Sequence, residues 1–156
     1  MTSKVFVSMR VPADPMRAFD VFTNEIALWW QPDGLFRITP AGDGHLAFEP
    51  GVGGRLFTQL ADGTTFEIGR ISVWEPGKRL RFSWRQSTFT DEQSTEVSVS
   101  FEAVGDETRV SIEHRGWDTI PQRHAARHGF PEHATLARVG DWWRASLARF
   151  KARTSR

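Results

Sequence analysis

Apolar and polar residues alternate with a period of two along most of the chain, giving way to helical spacing near its two ends. Val5, Val7, Met9 and Val11 interleave with Phe6, Ser8 and Arg10, which predicts a first strand ended by Pro12. Asp14 is placed to cap a helix, and Pro15 to occupy its first position, where the missing N–H is harmless. Met16, Phe19, Val21 and Phe22 extend that helix to about residue 22; Ile26 and the pair Trp29-Trp30 suggest a second, short helical piece. Strands are then expected near 35–39, 45–49, 55–60, 65–74, 79–86, 95–103 and 109–116, separated by Gly-, Pro- and Asp-rich turns. Loops of hairpin length imply antiparallel neighbours.

The segment 69–84 is the clearest hairpin. Glu75-Pro76-Gly77-Lys78 fits a type II turn: proline presets φ at the second position and glycine accepts a positive φ at the third. Leu80, Phe82 and Trp84 then alternate with Arg79, Arg81, Ser83 and Arg85. The chain closes with a helix predicted over about 132–152, whose stripe Leu136, Val139, Trp143, Leu147 and Phe150 must lie on something apolar. The order strand, two helices, six or seven antiparallel strands, long helix is an α+β pattern: a curved sheet wrapped around a C-terminal helix. No repeat, low-complexity tract or linker divides it, so one domain over residues 1–156 is expected.

Composition narrows the function classes. Among 156 residues, 20 basic side chains nearly balance 19 acidic ones, and the arginines are scattered, so a nucleic-acid partner is not expected. Cysteine is absent, which removes disulfides, thiolate metal sites and thiol nucleophiles. Neither a signal-type h-region nor an apolar run of about 18 residues appears, predicting no membrane association and a cytoplasmic location. Seven Trp and twelve Phe with no Tyr supply rigid apolar surface but no phenol chemistry.

Seven short markers occur together in order: Val11-Pro12-Ala13; Phe22-Thr23 with Trp29-Trp30; Gly53-Gly54; Gly69 with Trp74-Glu75-Pro76-Gly77 and Arg79-Leu80; Phe82-Ser83-Trp84; Glu96-Val97-Ser98-Val99; and Thr108-Arg109-Val110. With them the chain resembles the AHSA1-like group, named for the activator of Hsp90 ATPase, of the SRPBCC or START-like superfamily. One departure is Trp142, which stands where the family often has glycine ahead of a tryptophan. The resemblance implies a helix-grip fold with an apolar cavity between sheet and C-terminal helix. It implies a hydrophobic small-molecule partner of lipid or polyketide type, or a cyclase- or hydrolase-like reaction in the same cavity. It also leaves open a homodimer, and an Hsp90 co-chaperone-like contact without the separate N-terminal domain of the eukaryotic activators.

Within that frame His114 shares a strand face with Val110 and Ile112, so it faces the cavity if they do. There it could orient a ligand or act as a base; the alternative is a strand-end histidine bonded to a neighbouring backbone carbonyl. Strict alternation after Phe66 and Ile68 puts Arg70 on the apolar face as an anion anchor, whereas a β-bulge would turn it outward. Trp30, Phe36, Phe57, Trp84 and Trp143 are the remaining expected ligand contacts, with Trp29, Phe48 and Trp117 as further core or cavity aromatics. His124, His128 and His133 with Glu132 offer metal-ligating atoms, but Gly129 and Pro131 break the segment and the zincin order is missing. Neither a metal nor a cofactor is expected. The glycines at 51, 53 and 54 open a strand rather than a helix, which argues against a phosphate loop, and no G-x-S-x-G elbow is present.

Overall fold

The computed structural model describes residues 4–30, 45–60, 62–85, 95–116 and 132–155. They form β1 (Lys4–Val11), α1 (Pro15–Asn24), α2 (Ile26–Trp29), β2 (His45–Phe48), β3 (Arg55–Gln59), β4 (Thr65–Glu75), β5 (Arg79–Trp84), β6 (Thr95–Val104), β7 (Glu107–Arg115) and α3 (Glu132–Thr154). The strand expected near 35–39 lies outside the described residues.

All seven strands join one antiparallel sheet in the order β1-β7-β6-β5-β4-β3-β2. Successive hairpins from β2 to β7 account for that order, and β1 closes against β7 with Val5 opposite His114 and Val11 opposite Thr108. The Glu75–Lys78 turn forms as its residues dictate: Lys78 N–H donates to the Glu75 carbonyl at 2.9 Å, and Gly77 has φ +75°. Asp14 accepts from the Arg17 backbone N–H at 2.8 Å and so caps α1, with Pro15 in the first turn.

One face of the sheet is apolar. Val5, Val7, Leu80, Phe82, Trp84, Val97, Val99, Val110 and Ile112 point inward and meet Val139, Trp142, Trp143, Leu147 and Phe150 of α3. Full burial of each such side chain contributes about 1.5–3 kcal/mol. The two short helices cover the far end of α3. Arg149 Nε donates to the Trp29 carbonyl at 2.9 Å, and Arg153 reaches Glu25 Oε1 at 2.7 Å, so the end of α3 is latched to α2 and its N-cap. The arrangement is the expected helix-grip architecture, a curved antiparallel sheet around a long C-terminal helix.

One strand departs from simple alternation. Leu56 pairs with Gly69 but Phe57 pairs with Glu67, leaving Ile68 as an extra residue in β4. Ile68 and Gly69 are both buried as a result, and Arg70 is turned outward. Gly69 has a steric reason to be glycine: a Cβ there would stand 1.6 Å from the Ser83 carbonyl oxygen.

Candidate functional site

The side chains with the most chemistry converge where α2, α3 and the concave face of β5–β7 meet. Trp30, at the end of α2, lies 4.6 Å from the Trp143 ring and 5.6 Å from that of Trp142. Trp142 in turn lies 5.6 Å from Trp84 on β5. Trp84 and Trp143 flank the His114 imidazole edge-on, at 5.5 and 6.0 Å. Beneath this layer, Trp29 stacks on Trp30 at 8° between planes, and Phe22 and Phe150 pack against Trp29.

His114 is wholly buried, and its hydrogen bonds define its protonation. Trp143 Nε1 lies 3.0 Å from Nδ1, and an indole N–H can only donate, so Nδ1 must present its lone pair. Nε2 therefore carries the proton and donates to Thr95 Oγ1 at 2.7 Å, while the Thr95 hydroxyl donates to the Trp84 carbonyl at 2.9 Å. Burial pushes the imidazole pKa from 6.5 down to about 3. Both ring nitrogens are engaged and the neutral form is favoured. As placed, His114 presents no lone pair with which to take a substrate proton, and the arrangement favours a structural, orienting role.

Trp30 differs from Trp29 and Trp143. Trp29 Nε1 donates to the Phe22 carbonyl at 3.2 Å, and Trp143 is satisfied by His114. Trp30 is only 1% exposed, yet its Nε1–H has no acceptor among the described residues. Leaving such a donor unmatched costs about 1–3 kcal/mol. No charged side chain is buried here: the buried polar residues among those described are threonines, Ser146 and His114.

Two expected contacts lie elsewhere. Arg70, which strict alternation assigned to the apolar face, is exposed on the other side because of the β4 bulge; it pairs with Glu67 at 2.8 Å and donates to the Gly53 carbonyl at 3.3 Å. Phe57 is half-buried and alternates with the inward-facing Leu56 and Thr58, so it lies on the outer face, beneath the Arg55 guanidinium at 4.9 Å. Trp30, Trp84, His114 and Trp143 are brought together, while Phe36 and Trp117 lie outside the described residues. So do His124 and His128; among the described residues no cluster of His, Asp and Glu could hold a metal.

Sequence reasoning missed Trp142 and Thr95 as site components. Trp142 was legible: Thr135, Val139, Trp142 and Ser146 recur at helical spacing as a second inward row beside the one through Trp143. Thr95 was not, because its role depends on lying across from Trp84 and diagonal to His114. On the outer face, a hollow of about 220 Å³ involves Phe6, Val73, Arg81, Ser98, Ser111 and Glu113. Arg81 approaches Glu96, and Arg115 pairs with Glu113, so its charges are largely matched internally.

The family model for "Activator of Hsp90 ATPase homolog 1-like protein" matches residues 12–154. No curated protein matches the chain. Its fold is similar to that of the Chromobacterium violaceum protein CV1439 (20% identity, 98% of this chain and 97% of that chain, TM-score 0.65). It is similar also to PFC0360w, described as an Hsp90 activator from Plasmodium falciparum (16% identity, 96% and 94% of the two chains, TM-score 0.65). A third similar structure is the Aha1 dimer from Colwellia psychrerythraea (16% identity, 96% and 93%, TM-score 0.62). At these identities the likeness concerns the fold. No helix among the described residues is long and apolar enough to cross a membrane.

Proposed function

The chain belongs to the Activator of Hsp90 ATPase homolog 1-like family, and we propose that it binds a small hydrophobic molecule in the aromatic interior between α2, α3 and the sheet. The observation that carries this reading is the convergence of Trp30, Trp84, Trp142 and Trp143, with neighbouring ring centroids 4.6–6.2 Å apart, two of them, Trp84 and Trp143, flanking one neutral histidine. Largely apolar walls with a few placed polar groups are the usual make-up of a small-molecule site. The four rings are 0–3% exposed, so a ligand enters only as part of this packing opens. Binding is a better match to the geometry than catalysis, because both nitrogens of His114 already have partners.

Native mass spectrometry of gently purified protein, followed by titration with the neutral fluorophore N-phenylnaphthylamine, tests this. Adducts of a hydrophobic small molecule, or saturable blue-shifted emission at one site per chain, are expected. An adduct-free spectrum together with no emission change up to the solubility limit of the probe would overturn the reading.

A further inference from the structure

We infer that the molecule accepted by this interior is neutral, flat and aromatic, and carries a hydrogen-bond acceptor such as a ketone, ester or ring nitrogen that takes the indole N–H of Trp30. The inference rests on the binding role proposed for the same interior and adds the chemical class.

The acceptor requirement comes from Trp30 itself. Among the described residues its Nε1–H is buried without an acceptor, whereas other polar atoms of the ring cluster have partners of their own: the Phe22 carbonyl has Trp29, the Trp84 carbonyl has Thr95, and His114 Nδ1 has Trp143. A ligand oxygen or nitrogen arriving there converts an unmatched donor into a matched one, so affinity depends on having that atom. An aliphatic or aromatic hydrocarbon gains only burial.

Neutrality follows from the walls. A carboxylate or ammonium entering would lose its hydration with no buried countercharge among the described residues to replace it. Arg149, on α3 close to α2, donates to the Trp29 carbonyl and Ser146 Oγ.

Flatness follows from how the rings meet. Trp30 stacks on Trp29 at 8° and lies at 31° to Trp143 and 38° to Trp142, so it meets its partners as tilted or offset faces. A planar ring can take the place of one such partner and recover its contacts, whereas a flexible chain must be ordered to do so. Trp142 bridges Trp30 and Trp84 at 5.6 Å from each, so a planar ring in its place would keep contact with both. A bicyclic aromatic is the size of the indole it would displace.

Four matched probes test the class: methyl naphthyl ketone, ethylnaphthalene, naphthoate, and a straight-chain methyl ketone of equal carbon count. Affinities are read by calorimetry, and the Trp30 indole N–H proton is followed by NMR, assigned with Trp30→Phe. The aryl ketone should bind about tenfold more tightly than ethylnaphthalene and shift the Trp30 resonance downfield. Naphthoate should be weaker than the aryl ketone by about a hundredfold or more. Trp30→Phe should lower the affinity for the aryl ketone more than that for ethylnaphthalene, so that the ketone advantage is lost. If naphthoate or the chain ketone binds as tightly as the aryl ketone, the class is wrong while binding stands. The same holds if ethylnaphthalene matches the ketone and the Trp30 resonance does not move. If neither these probes nor N-phenylnaphthylamine binds, the binding role falls and the class with it.

Discussion

Trp143 donates its indole N–H to Nδ1 of His114 across 3.0 Å, joining the C-terminal helix to the last strand through two buried side chains. The bond fixes the tautomer of the imidazole, and the tautomer fixes the direction of the chain that continues through Thr95 to the Trp84 carbonyl. Its members sit on β5, β6, β7 and α3, so the network holds the helix in the grip of the sheet. In a buried setting such a network is worth most when every member is satisfied.

Trp143→Phe keeps a six-membered aromatic ring but removes the pyrrole half of the indole with its donor, leaving Nδ1 of a buried histidine unmatched. A loss of about 1–3 kcal/mol is expected in urea denaturation. Thr95→Val, which removes the acceptor of Nε2–H, should cost a similar amount. The double variant should cost less than the sum, since both act on one network.

Stability should fall as pH drops below about 6.5. The unfolded chain binds a proton at His114 near that ordinary value, whereas the folded protein resists it until about pH 3. Below pH 6.5 the unfolded state therefore holds more protons than the native state, and the stabilisation present at higher pH is lost as pH falls through this window. Between pH 7.5 and 5, His114 alone should account for a loss of about 2 kcal/mol, and His114→Gln should flatten that slope. Denaturant midpoints at the two pH values provide the measurement; equal slopes in the two proteins would contradict it.

Gly69→Ala should be more damaging than a substitution of its size suggests. The added methyl would stand 1.6 Å from the Ser83 carbonyl oxygen, a backbone atom that moves only if β4 and β5 separate. A loss on the order of 3 kcal/mol, or failure to fold, is expected. Gly63→Ala is a useful control, since that site has open space and only its φ of +88° opposes the change.

Trp142→Ala should cost about 3–5 kcal/mol, because it removes a buried indole from between Trp30 and Trp84. The same variant should bind N-phenylnaphthylamine more tightly than the parent does, with a rise in melting temperature on adding probe that exceeds the parent's. A destabilised variant with no gain in probe affinity would show that the vacated space collapses.

Much of the architecture was legible in the sequence because it rests on local rules. Period-two alternation located β1 and the strands from β2 to β7, and the Pro-Gly turn, the Asp14 cap and the α3 stripe lie where their residue chemistry placed them. Trp30, Trp84, His114 and Trp143 were legible as inward-facing for the same reason. Where alternation was interrupted, strict period two failed and the β-bulge alternative held: one extra residue at Ile68 turned Arg70 outward, and Gly69 beside it is the only mark of the bulge in the string.

What the sequence by itself determined, then, is the order of elements, the family, and which faces are apolar. Those depend on residue type and spacing along one chain. The tertiary structure alone decided that Thr95 and Trp143 occupy both nitrogens of His114, that Trp142 fills the space between Trp30 and Trp84, and that the Trp30 N–H has no acceptor among the described residues. Each of these depends on strand register and helix packing between residues far apart in sequence, where a displacement of one position turns a side chain to the opposite face.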